Sequence, residues 1–144
     1  AAARRCFGFD AVVTLLDERE LQVMELTTFG EAVAAAGMLW LHFPIRDKWI
    51  PTSTAAFLTD AVAPVAALLL EGKRVLVHCN GGKGRTGTLA ASVLLTRSLR
   101  SLLPTRIDSI GDAVAAIRTC RPAMLRNPLQ RLYMLHIRRG LVAI

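Results

Sequence analysis

Cysteine is scarce in this chain of 144 residues: Cys6, Cys79 and Cys120 form an odd set without metal-ligand spacing. That argues against a disulfide scaffold and for a reducing, cytoplasmic setting. Aromatics are few and scattered, eight in all. No aromatic platform or recognised binding motif therefore accompanies the basic charge, and nucleic acid is an unfavoured partner. The longest apolar run, Ala61 to Leu70, is about half a membrane span and contains Pro64, so no transmembrane helix is expected. The opening AAARRCFGFD has no start Met and lacks the long apolar core of a signal peptide. Repeats and low-complexity linkers are missing as well. The length then fits one domain over residues 1–144, large enough to bury a sizeable core.

Acidic residues are nearly absent from the second half. Residues 1–72 balance at −4, whereas residues 73–144 carry thirteen Lys/Arg against Asp108 and Asp112, a balance of +11. Two readings are open: solvated Arg-rich helix faces, or a positive field around a site for anionic substrates.

Strand and helix signals alternate along the chain. Ala11–Leu16 reads as a buried strand followed by an acidic turn, Asp17–Glu20. A helix over Phe29–Ala36 ends at Gly37, and Met38–Phe43 is the next strand, closed by Pro44. Thr52-Ser53-Thr54 can cap a helix to Leu70 that Pro64 should kink or split. Lys73–His78 is a short strand, and Thr86–Ser98 a helix. Asp108 can cap a helix through Arg118. Asn127-Pro128 starts the last helix, which should end near Arg139, ahead of Gly140. Such alternation predicts an α/β domain with a mostly parallel sheet flanked by helices, with ligands beyond the strand ends. The loop 79–85 falls at such a place.

That loop, Cys79-Asn80-Gly81-Gly82-Lys83-Gly84-Arg85, carries the chemistry. Its three glycines let backbone N–H groups converge on an anion, and the following helix points its amino end at the same spot. Asn80, Gly81, Gly82, Lys83 and Gly84 would form the cradle, while Arg85 can fork onto two phosphate oxygens. A thiol in that setting should be ionised at neutral pH, and a thiolate beneath a bound phosphate is placed for in-line attack on phosphorus. His78 is better placed to order the loop than to act as a base. The Thr86 hydroxyl could donate to the thiolate and help it leave. A nucleotide-binding P-loop with an incidental Cys is the bland alternative, but Gly-Lys-Gly-Arg-Thr does not match Gly-x4-Gly-Lys-Ser/Thr.

The run His78-Cys79-Asn80-Gly81-Gly82-Lys83-Gly84-Arg85-Thr86-Gly87 resembles the signature loop of the cysteine-based protein tyrosine phosphatase superfamily, His-Cys-x5-Arg-Ser/Thr. The short chain is similar to its compact dual-specificity branch, particularly the cyclin-dependent-kinase-inhibitor-associated phosphatase type and bacterial relatives. The resemblance implies hydrolysis of a phosphomonoester through a cysteinyl-phosphate, with no metal or other cofactor.

Such a reaction needs a proton for the leaving oxygen and a base for water, and a carboxylic acid on a movable loop suits both. Asp47 in Pro44-Ile45-Arg46-Asp47-Lys48-Trp49-Ile50-Pro51 is the candidate, similar to the family's Pro-x-x-Asp pattern. The alternative is a surface Asp paired with Arg46 or Lys48; Asp17 is the rival acid. In the superfamily a Gln in the last helical region can position the hydrolytic water. Gln130 stands there, but a capping box with Asn127 is the favoured reading. His42 and His136 read as packing or surface residues and Cys120 as a buried apolar filler. Cys6 is a candidate disulfide partner for an oxidised Cys79.

The substrate expected first is a phosphorylated protein, on tyrosine or with dual specificity. A phosphorylated small molecule comes second, because Lys83 resembles the lysine of phosphoinositide 3-phosphatases, although Asn80 stands where those commonly carry another Lys. Arg46, Lys48, Arg121 and Arg126 could supply compensating charge. Of other kinds, a non-catalytic phosphate-binding module and an RNA 5′-phosphatase remain.

Overall fold

Three short strands lie side by side in parallel, in the order β2–β1–β3, in the computed structural model, which describes residues 8–144. β1 is Ala11–Thr14, β2 Leu39–His42 and β3 Val75–His78. Ala11 pairs with Leu39 on one side and Val75 on the other; Thr14 pairs with His42 and His78. Each strand lies within the longer run expected there; β1 is buried, whereas β2 and β3 are mostly half-buried. The middle strand is wholly buried, as a strand covered on both faces must be.

Side chains alternate across β1, so each face receives its own apolar layer. Val12 packs with Val33 and Met38, beneath the helix Phe29–Ala35 (α2). Val13 belongs to the larger core on the other face, with Phe57, Leu89, Val114, Met134 and Ile137. That core lies beneath a helix over 54–70 (α3), Arg85–Leu94 (α4), Ile110–Cys120 (α6) and Pro128–Leu141 (α7).

The structure departs from the sequence reading in several local places. Residues expected as an acidic turn form a helix, Glu18–Val23 (α1), because Asp17 and Glu20 complete a reciprocal capping box. Pro64 interrupts the α-helical winding of α3, as expected, without ending the helix. The stretch Phe57–Val62 winds as a π-helix, and Ala63 donates its N–H to the Leu58 carbonyl five residues back. The wider turn absorbs the missing donor and the bulk of the proline ring. The helix after the signature loop ends at Leu94, and Arg97–Arg100 (α5) follows as a separate turn. Ser109, not Asp108, caps α6, in a second capping box with Asp112. α7 continues through Gly140, where a Cβ would lie 2.6 Å from Leu58 Cδ1 of α3. Glycine there serves close packing and does not stop the helix. Cys120 is exposed and not a filler, and Cys6 lies outside the described residues.

Candidate active site

The thiol of Cys79 sits directly beyond the carboxyl end of β3, at the mouth of the loop that leads into α4. A relay from the opposite face of the sheet fixes its approach. Gly30 leaves room for the Trp40 ring, since a Cβ there would meet the ring at 2.1 Å. Trp40 Nε1 donates to Thr14 Oγ1 at 2.8 Å, and Thr14 Oγ1 shares a second hydrogen bond with His78 Nε2, also at 2.8 Å. Phe29 stands edge-on to the His78 ring. Burial holds the His78 pKa below its ordinary value, against an opposing bond with the Cys79 main chain. A neutral ring that orders the loop suits that setting better than a general base does.

Cys79 is buried, and burial by itself disfavours its thiolate. Donors outweigh that cost. The Thr86 hydroxyl donates to Sγ at 3.2 Å, and main-chain N–H groups of Thr86 and Gly82 point at the sulfur. With the Arg85 charge added, the thiol pKa falls below its ordinary value. Gly82 has φ +57, the left-handed conformation in which a side chain is strained, and a Cβ there would lie 2.7 Å from Arg121 Nη1. Arg121 in turn donates to the Gly81 carbonyl, and Leu125 N donates to the Lys83 carbonyl. The loop is therefore buttressed from outside by residues 121–125.

Arg85 is the largest fully buried side chain, 2% exposed. Its guanidinium is held by a residue the sequence reading did not single out. Glu20 takes it in a two-point grip, Nη1 to Oε2 at 2.5 Å and Nη2 to Oε1 at 2.8 Å. The Ile45 carbonyl accepts a further bond at 2.8 Å. The hydrogen bond with Arg85 pulls the Glu20 pKa below its ordinary value, even though burial opposes this. The available signal was the Asp17-x-x-Glu20 capping pattern, which marks a helix start and so places an acid just beyond β1.

Asp47 reaches the same guanidinium, Oδ1 to Nη2 at 3.1 Å, while its carboxylate is otherwise exposed. It lines a pocket of about 530 Å³ with Lys48, Cys79, Asn80, Gly81, Lys83, Gly84, Arg85, Arg126, Asn127 and Gln130. Four cationic side chains thus face one carboxylate in the lining, which suits an anionic ligand. Lys48 and Arg126 border the pocket as the sequence reading allowed. Arg121 braces the loop instead, and Arg46 is not among the lining residues. The favoured capping role for Gln130 does not hold. Asn127 caps α7 by itself, accepting from Leu129 N. Gln130 is buried and donates to the Trp49 carbonyl at 3.0 Å, and its Oε1 has no hydrogen-bond partner among the described residues. His42 packs on Trp40 and bonds the Leu16 carbonyl; His136 is exposed.

Residues 5–98 match the family model described as "Polymorphic toxin system, DSP-PTPase phosphatase". The chain belongs to this family. Among curated relatives, rat receptor-type tyrosine-protein phosphatase V is 34% identical over 84 residues, which is 58% of this chain and 5% of that protein. The chain thus spans only a small part of that relative. The solved structure of Tk-PTP in its active form is 30% identical, with a TM-score of 0.69 over 91% of this chain and 79% of its own. Kinase associated phosphatase, with its catalytic-site cysteine replaced by serine, superposes at TM-score 0.80 with 22% identity, over 95% and 72% of the two chains. PTPMT1 in complex with PI(5)P gives 0.76 at 21% identity, over 98% and 85%. The last two show the shared compact dual-specificity phosphatase fold.

Proposed function

We propose that this DSP-PTPase family member hydrolyses phosphomonoesters on proteins, with tyrosine or dual specificity, through a cysteinyl-phosphate. One observation carries the reading: a thiol with a lowered pKa accepts from converging donors beside a buried arginine, and an exposed aspartate contacts that arginine in the same pocket. Cys79 Sγ attacks phosphorus in line. The S–P bond forms as the P–O bond of the ester breaks, and Asp47 gives its proton to the departing oxygen. Water then attacks phosphorus with Asp47 as base, the S–P bond breaks, and Thr86 supports the returning thiolate. Asn80–Gly84 and Arg85 hold the equatorial oxygens in both steps. Only a reduced thiol can act this way, which supports a cytoplasmic location.

The test is phosphate release from phosphotyrosine, phosphoserine and phosphothreonine peptides, with Cys79→Ser as the blank. Release by the serine variant equal to that of the native chain refutes the thiol mechanism, and phosphate binding with no release by the native chain favours a phosphate-binding module. A second reading, an inositol-phosphate or phosphoinositide phosphatase, draws support from Lys48, Lys83 and Arg126 around one pocket. The fold shared with PTPMT1, whose complex holds PI(5)P, is compatible with it. Lys83→Ala separates the two: loss confined to inositol phosphates favours the second, an equal change on all substrates the first.

A further inference from the structure

We propose that Asn127 and Gln130 are positioning residues, two amides on one face of the amino end of α7 that hold the Asp47 loop over the thiol. This rests on the catalytic reading of Asp47 above. Arg85 holds the loop between Ile45 and Ile50 at the Ile45 carbonyl and at Asp47, but little else ties its tip. Apart from the Trp49 N–H bond to the Arg46 carbonyl, no main-chain bond among the described residues closes it, and the Trp49 side chain is 51% exposed. Lys48 at its tip takes φ +59, a conformation that residues other than glycine rarely adopt. That conformation has a consequence at the acid: Lys48 N–H donates to Asp47 Oδ1 at 2.9 Å and orients the carboxylate.

Something must keep the tip in this shape, and α7 supplies it. Asn127 Nδ2 donates to the Lys48 carbonyl at 2.9 Å, and Gln130 Nε2 to the next carbonyl, that of Trp49, at 3.0 Å. Spacing of three residues puts both amides on one helix face. Two successive peptide units are fixed on the carboxyl side of Lys48, and with them its rare backbone angles. Both amides are themselves anchored. Asn127 Oδ1 is taken by the cap bond from Leu129 N. Gln130 is 1% exposed and lies so close to the signature loop that a Cβ on Gly84 would fall 2.6 Å from its Oε1. Gln130 therefore spans the distance between the nucleophile's loop and the acid's loop.

The test uses variants that keep packing and remove one donor each. Asn127→Asp retains the helix cap; Gln130→Met retains the volume and leaves no polar atom buried. The kcat/KM for a phosphotyrosine peptide, whose leaving group needs the acid, should fall about 5- to 20-fold, a fraction of a full general-acid effect. The kcat/KM for 4-nitrophenyl phosphate, whose leaving group does not, should change less than about twofold, since this ratio reports formation of the cysteinyl-phosphate and not its hydrolysis. Trp49 should also gain a fast component in time-resolved fluorescence anisotropy. Equal losses on both substrates, no loss on either, or an unchanged Trp49 signal overturns the proposal. If the native chain and Cys79→Ser release phosphate alike, the catalytic reading has failed instead, while the anisotropy still decides whether α7 holds the loop.

Discussion

The grip of Glu20 on Arg85 sets the sharpest expectation. Removing one partner of a buried ion pair costs about 3–5 kcal/mol, because the other charge is left in a poor solvent. Arg85 is 2% exposed, yet Glu20 is 16% exposed, and the Ile45 carbonyl and Asp47 stay within reach of the guanidinium. Glu20→Ala should therefore cost about 2–3 kcal/mol, and Glu20→Gln, which keeps one acceptor, about 1–2 kcal/mol. In a domain of this size the alanine variant should melt about 7 °C lower. The pH dependence follows from the depressed Glu20 pKa. Its stabilisation is present above the unfolded-state pKa, roughly 4.3, and is lost as pH falls through the lower folded-state value. Urea melts of the native chain and Glu20→Gln should thus differ fully at pH 7 and converge in acid. Phosphate release should fall as well, since a guanidinium freed from Glu20 can turn fully onto Asp47 and occupy the acid. A variant with native stability at pH 7 and native turnover would falsify the assignment of Glu20 as the residue that holds Arg85.

Three further outcomes are expected. Asp47→Asn should lower kcat/KM for phosphotyrosine peptides about 100-fold and for 4-nitrophenyl phosphate far less; an equal effect on both values of kcat/KM removes the acid role. With Cys6 and Cys120 replaced by serine, iodoacetamide should alkylate Cys79 with a midpoint below the ordinary thiol range, and Thr86→Val should move it upward, because a donor to the sulfur is lost. An unmoved midpoint refutes the part given to Thr86. Gly30→Ala drives a methyl into the Trp40 ring and should cost about 1–3 kcal/mol in thermal melts. Native stability there would mean that Trp40 can move without disturbing the Thr14–His78 relay.

What could be read from the sequence divides along a physical line. The signature loop was legible because its chemistry is contiguous: thiol, glycines, arginine and threonine lie within eight residues, and the following helix start completes the anion site. The parallel sheet was legible because alternating strand and helix patterns leave few arrangements. Helix ends at Leu94 and Gly140 were not, since tertiary packing such as Gly140 against Leu58 overrides local signals there. Least legible were partners distant in sequence. Glu20 and Arg85 are 65 residues apart, and nothing in Asp17-Glu18-Arg19-Glu20 says which cation it meets. Gln130 shows the same limit more sharply. At N3 behind an Asn cap, its local environment offers a backbone N–H to accept from, and the capping box follows from that alone. The fold offers the Trp49 carbonyl 81 residues away, and the buried side chain takes it. A motif records what neighbours in the chain can do together; only the folded chain decides whether a polar side chain near the site serves its own helix or the loop across the pocket.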